Sequence, residues 1–238
     1  MRKEGFYNGE YYHIYNRGVD KREIFLNEQY FRRFLLYMRK FNNKYAPGGL
    51  YEEYLRNKKK DSSNEDEGGR GGGRGSASTL EAEPLPPSQD EKIVEIIAYC
   101  LNPNHFHLLL KQKEEGGISS YMQKIGTGFT MFFNKKNDRS GSLFQGRYKS
   151  VHIDTNEYLL YLSAYINCNN FIHGYNNSPE DWLYSSYLDF IGRREGILPK
   201  KSIILEQFDN SFKDYKKFCK MNMEYLKDRK EMQKYLLE

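Results

Sequence analysis

The sequence predicts an α+β fold: a ferredoxin-like antiparallel sheet (a split βαβ) with helices packed on it, plus a C-terminal helical appendage. Three observations predict it. Short aromatic and β-branched runs at 10–17, 93–101, 105–111 and 147–153 have the length and residue types of strands. Two stretches between them, near 28–44 and 118–136, repeat their apolar residues at helical spacing. A further helical stretch follows the last run, so the order is strand–helix–strand–strand–helix–strand–helix, with the helices expected on one face of the sheet.

Each element has its own local reason. EYYHIYNR at 10–17 is aromatic and apolar and is stopped by Gly18. Asn27 is a suitable N-cap for a helix whose apolar face is Phe31, Phe34, Leu35 and Met38, with Tyr37 and Phe41 extending it. IVEIIAYCL at 93–101 is a buried strand, Asn102-Pro103-Asn104 a turn, and HFHLLLK at 105–111 a strand paired back on the first. After Gly116-Gly117, the spacing of Ile118, Tyr121, Met122, Ile125, Phe129, Phe132 and Phe133 predicts a helix over 118–136. RYKSVHI alternates as an edge strand would, and Asp154 or Thr155 can cap a helix running through NEYLLYLSAYINCNNFI. The final stretch from 203 reads as helical, with Phe208, Phe212, Tyr215 and Phe218 as its apolar stripe.

Residues 56–90 break the pattern. They are rich in Gly, Ser, Pro and acids, nearly lack bulky apolar residues, and are expected to form a disordered insertion. The domain organisation expected is therefore a catalytic domain of 1–55 and 91–175, interrupted by that insertion, and an extension over 176–238.

Charge and composition narrow the partners. The net charge is +5 over 238 residues, but 61–90 carries seven acids against two bases, a net of −5, which leaves +10 on the rest. A folded part that basic favours a polyanion, although a well-solvated surface would look the same. The 21 Tyr and 15 Phe among those bases suit stacking on unpaired nucleotides. Cys100, Cys168 and Cys219 are too widely spaced for a disulfide framework or a zinc module. No apolar run approaches the roughly 18 residues that span a bilayer, and the start lacks an apolar signal core, so the expected location is cytoplasmic.

Two pairs carry chemistry. On a strand, His105 and His107 point to the same face, and adjacent imidazoles can hold a divalent metal; alone, such a pair is as readily ordinary polar surface or core. On the later helix, Tyr165 and Asn169 are four residues apart and project from one face, offering a hydroxyl nucleophile and an amide oxygen. Taken without context, packing with Tyr158 and Tyr161 accounts for Tyr165 better. Lys135, Lys136, Arg139, Arg147 and Lys149 form a basic cluster near these segments, a surface suited to gripping phosphates.

The segments taken together resemble the REP-associated tyrosine transposases, a branch of the HUH single-tyrosine transposases. The carriers are YHIYNRG at 12–18, LNPNHFHLLL at 101–110, FFNKKNDRSGSLFQGRYKS at 132–150, YLLYLSAYINCNN at 158–170 and WLYSSY at 182–187, in the same order as in the family. The resemblance covers about 10–55 and 92–190. It implies that His105 and His107 hold a divalent metal, Mg²⁺ or Mn²⁺, with Asn169 as the third ligand. It implies that Tyr165 attacks single-stranded DNA, giving a 5′-phosphotyrosine and a free 3′-hydroxyl that can be rejoined without ATP. It further implies a hairpin or palindromic repeat as partner, a monomer or homodimer, and DNA contacts from the Tyr15-Asn16-Arg17 turn and from the Gln145–Arg147 segment. Phe129 and Phe132, where the family often has Tyr, are read as packing positions; two departures stand out, Asn170 where the family usually has Pro and the acidic insertion at 56–90. The competing readings are a binder of structured single-stranded DNA that has lost catalysis, and a metal-dependent phosphodiesterase that uses water.

Overall fold

A computed structural model of the chain describes residues 5–44 and 92–228, with side chains to 223. The expected 56–90 insertion lies outside the described residues. Four strands form one sheet: β1 (Tyr11–Arg17), β2 (Val94–Asn102), β3 (His105–Gln112) and β4 (Lys149–Ile153), in the order β2-β3-β1-β4 with every neighbour antiparallel. This is the ferredoxin-like order, in which β3 fills the gap of the first βαβ and β1 that of the second.

The helices occupy both faces, not one. The reason lies in the alternation of β3. Phe106, Leu108 and Leu110 face a core shared with α1 (Glu28–Lys40) and α2 (Gly117–Lys136), through Phe34, Met38, Tyr121, Ile125 and Phe129. Leu109 and its same-parity neighbours face the opposite way, against α3 (Asn156–Asn167), with Leu159, Leu162 and Ile166. Both faces are apolar, so each needs a helical cover. Burial of each large side chain contributes roughly 1.5–3 kcal/mol. Phe129 is fully enclosed and Phe133 nearly so, and Phe132 packs partly buried at their side, as packing positions should.

Element ends differ from the sequence reading for local reasons. Asn27 does cap α1, accepting from the Gln29 backbone N–H. The helix stops at Lys40 rather than near 44, because Asn42 turns inward and bonds both the N–H and the C=O of Val94. Thr155 caps α3. The expected single helix over 156–172 is broken: at Cys168 the backbone leaves helical geometry (φ −103°, ψ 9°), and a separate turn, α4 (Asn169–Ile172), follows. Asn167, just before the break, is anchored by Tyr215 and Ser186 of the extension.

That extension is fastened to the outer edge of β2. Trp182 donates to the Leu101 carbonyl, Leu101 N–H to Tyr184 and Ser186 N–H to Tyr99, which covers the edge groups of the sheet. Three further helices complete it: α5 (Tyr187–Phe190), α6 (Ser202–Leu205) and α7 (Phe212–Asp228). Tyr215, Cys219 and Met223 of α7 are buried in the core that contains α3. Phe212, expected in the buried stripe, is instead 41% exposed. No helix among the described residues is long and apolar enough to cross a membrane.

The Tyr15–Gly18 turn and the 143–146 segment are one structural unit. Asn16 Nδ2 donates to the Gly146 carbonyl, Gln145 N–H to that of Arg17, and Val19 N–H to that of Leu143. Gly18 is required by space: a Cβ there would lie 2.3 Å from the Arg22 carbonyl oxygen and 2.9 Å from Ile24 Cγ2. Gly18→Ala is expected to destabilise the protein by about 1–3 kcal/mol, read as a lowered urea midpoint at unchanged slope. An unchanged midpoint would show that the turn relaxes freely.

Candidate active site on the histidine face

The residues nominated from the sequence meet on the face of the sheet covered by α3. The register places Tyr15 opposite His107 and Arg17 opposite His105 on one side, and Cys100 opposite His107 and Asn102 opposite His105 on the other. Strand parity sends all six side chains to one face. His105 and His107 are both fully buried, with ring centroids 5.2 Å apart and planes perpendicular. Tyr165 lies edge-on to His107 at 5.7 Å and is likewise shielded. Asn169, despite the break in the helix, still reaches the site: its Oδ1 is 3.2 Å from His105 Nε2.

Four of the five histidines gather here. His13 of β1 is buried, with its Nε2 2.8 Å from His107 Nδ1 and the rings stacked at 5.0 Å. His173, just past α4, lies edge-on to His105 at 5.0 Å. Sequence reasoning missed both. For His13 the signal was present, since it shares parity with Tyr15 and Arg17, but its diagonal approach to His107 depends on a register that the sequence does not display. Asn102, expected in a turn, is the last residue of β2 and faces His105 across a two-residue turn.

Electrostatics keep these rings neutral. Burial lowers His13 to about 3; burial, aided by His173, does the same to His105, and His107 is pushed well below the usual histidine range by burial and by His13. A neutral imidazole is the form that offers a lone pair to a cation. The linkage has a definite sign. The unfolded chain takes up protons below about 6.5, whereas the folded chain resists until about 3. Stability present above pH 6.5 is therefore lost as the pH falls toward 3. In chelator, the urea midpoint should drop steadily from pH 7 to pH 4; a flat profile would mean that the rings protonate in place.

The donor set fits a divalent cation. His105 Nδ1 bonds Asn104 Oδ1 at 2.6 Å, which puts the proton on Nδ1 and the lone pair on Nε2. Tyr175 donates to the same Asn104 oxygen. His107 Nε2 is buried without a hydrogen-bond partner. His105 Nε2 and the Asn169 oxygen both accept from Asn102 Nδ2, so His107 Nε2 is the donor atom of this set left unsatisfied, a costly arrangement that a cation would relieve. Among the described residues no group of three or more His, Cys, Asp or Glu is placed to hold a metal; this set draws on an amide instead.

The basic residues nominated from the sequence are spread over several elements. Arg17 is the cross-strand neighbour of His105, and the Lys149 ammonium stands 5.9 Å from the Tyr15 ring. Arg147 and Lys149 are exposed and line a groove of 1370 Å³ with Tyr15, Asn16 and Tyr148, bounded across from them by α2. Lys135 and Lys136 end α2, the helix that bounds this groove, and Arg139 is occupied in bonding Asn134 and the Ser142 carbonyl.

Two comparisons with known proteins give matches. Residues 83–169 match the family model described as IS200-like transposase, a span that includes β2 to β4 and Tyr165. A solved structure of a REP-associated tyrosine transposase bound to a REP hairpin is similar at a TM-score of 0.50 and 14% identity, covering 84% of this chain and 96% of that one. That likeness confirms the fold. No curated protein sequence matches significantly. Residues 83–169 are thus similar in sequence to the IS200-like transposases, and the fold is similar to that of the solved transposase.

Proposed function

We propose that this relative of the IS200-like transposases is a metal-dependent enzyme that cleaves and rejoins single-stranded DNA through Tyr165. The observation that carries the reading is the convergence of His105, His107, Asn169 and Tyr165 on one face of the sheet from three separate elements. Tyr165 Oη would attack a phosphodiester, forming a Tyr–O–P bond as the P–O3′ bond breaks. The phenolic proton is given up, the 3′ oxygen gains one, and the phosphodiester energy is kept in the 5′-phosphotyrosine. A free phenol is weakly nucleophilic, with a pKa near 10. Mg²⁺ or Mn²⁺ held by His105, His107 and Asn169 would supply Lewis acidity toward the phosphate and fix its position. Arg17 is placed to grip the same phosphate, and the Arg147–Lys149 groove to hold the strand beyond it. The similar protein is bound to a REP hairpin, which supports a hairpin-bearing partner here.

One observation favours a second reading. Tyr165, both histidines of the pair and Asn169 are each 0% exposed. DNA can reach them only if part of the cover moves, and a chain that keeps the fold solely to bind structured DNA would never open it. Incubation with hairpin-flanked single strands and Mn²⁺ separates the two. The enzyme gives a denaturation-resistant protein–DNA adduct; binding in a shift assay without any adduct supports the binder.

A further inference from the structure

We infer that Asn102 is a fourth protein ligand of the cation site, its carboxamide holding the cation's place when none is bound; this rests on the metal-dependent reading above. The side chain is fully buried at the end of β2. Its Nδ2 donates at once to His105 Nε2, at 2.9 Å, and to Asn169 Oδ1. Those two acceptors are only 3.2 Å apart, and their lone pairs would repel one another across the site without a positive centre between them. The polarised N–H₂ group of Asn102 is that centre. The other end of the amide, Oδ1, faces the Cys100 thiol at 3.5 Å, which is a weak partner. A half-turn about the last side-chain bond exchanges the two ends. It aims Oδ1 into the space between His105 and Asn169 and turns Nδ2 toward the sulfur, without moving the backbone. The set then becomes two imidazole nitrogens and two amide oxygens, a mixture that suits Mn²⁺ over a purely hydrated Mg²⁺.

The position follows from the hairpin. Pro103-Asn104 joins β2 to β3 as a two-residue turn, so Asn102 and His105 form the pair that closes it. Pro103 fixes its own φ, and its carbonyl accepts from both Ile24 and Phe25. A clamped turn keeps the amide within reach of the imidazole.

Mn²⁺ binding to the full chain, followed by electron paramagnetic resonance and calorimetry, tests this. Asn102→Ala should bind Mn²⁺ about tenfold or more weakly. Asn102→Asp should bind as tightly as the parent or more so, because a carboxylate offers oxygen whichever way it turns. If Asn102 only donates its N–H₂ to hold Asn169 in place, Asp cannot do so and affinity falls; that result overturns the inference even where the Ala variant is too unstable to use. Unchanged or tighter binding by Asn102→Ala overturns it as well. His107→Ala separates this from the parent reading. Loss of Mn²⁺ in His107→Ala with normal affinity in both Asn102 variants sinks Asn102 alone, whereas normal affinity in His107→Ala sinks the metal site itself.

Discussion

Tyr165→Phe should abolish covalent adduct formation, lowering the cleavage rate by at least about 10⁴-fold, while leaving the fold and DNA affinity close to those of the parent. The size of the effect follows from the role. The other tyrosines beside the histidines are otherwise engaged: Tyr15 stacks on His107 with the Lys149 ammonium near its ring, and Tyr175 donates its hydroxyl to Asn104. The small structural cost follows from shape. Phe fills the volume of Tyr165 between His107 and His13 and keeps the edge-on ring contacts. The checks are single-turnover cleavage on gels, a binding isotherm and a urea melt of the same preparation. Cleavage by Tyr165→Phe at the parental rate would remove the nucleophile assignment and point to water as the attacking group.

His107→Ala should be nearly as damaging to chemistry, by roughly 10³-fold, by removing the Lewis acid's anchor. It differs from Tyr165→Phe in leaving two further marks. Mn²⁺ binding disappears, and His13 loses the ring that it stacks on and hydrogen-bonds. A cavity beside a buried imidazole should also cost about 2–4 kcal/mol of stability. His107→Gln, which keeps much of the volume, should recover part of the stability and little of the activity. Full activity in His107→Ala with chelator present would exclude the metal from the mechanism.

Much of this molecule was legible in its sequence, and what was not legible is instructive. Period-two spacing was enough to put His105 and His107 on one face and Phe106 on the other. Asn27 and Thr155 announced two helix starts by the oxygen that each offers to the first turn. The four strands and their order followed from strand-like runs separated by helical ones. Three features depended on distant contacts. The break at Cys168 has no Pro or Gly at the spot; it coincides with Asn167 being held by Tyr215 and Ser186, residues 48 and 19 positions away. The approach of His13 to His107 needs the register of β1 on β3. Asn102 resembled a turn residue because Asn-Pro-Asn is turn chemistry, yet the turn tightened to two residues and the strand claimed it. The helices' division between two faces was hidden for a related reason: His105, Cys100 and Asn102 are polar or small, so the second face looked less in need of cover than it is.

The grouping of basic residues shows the same limit. Arg147 lines the groove bounded by α2, the helix that Lys135 ends, whereas His105 and His107 lie on the opposite face of the sheet from α2. Arg17, distant in sequence from all of them, is the one paired with His105. Phosphate contacts near the reacting bond are expected from Arg17 and Lys149 rather than from the end of α2.

A phosphotyrosine formed at one defined residue can be located by peptide mapping. The protein is incubated with a hairpin-bearing single strand and Mn²⁺, denatured, digested with nuclease and protease, and analysed by mass spectrometry. The account predicts a nucleotide attached to the peptide containing Tyr165, with the 3′-hydroxyl fragment of the DNA released alongside it. A nucleotide on any other tyrosine, or cleaved DNA with no modified peptide, would contradict it.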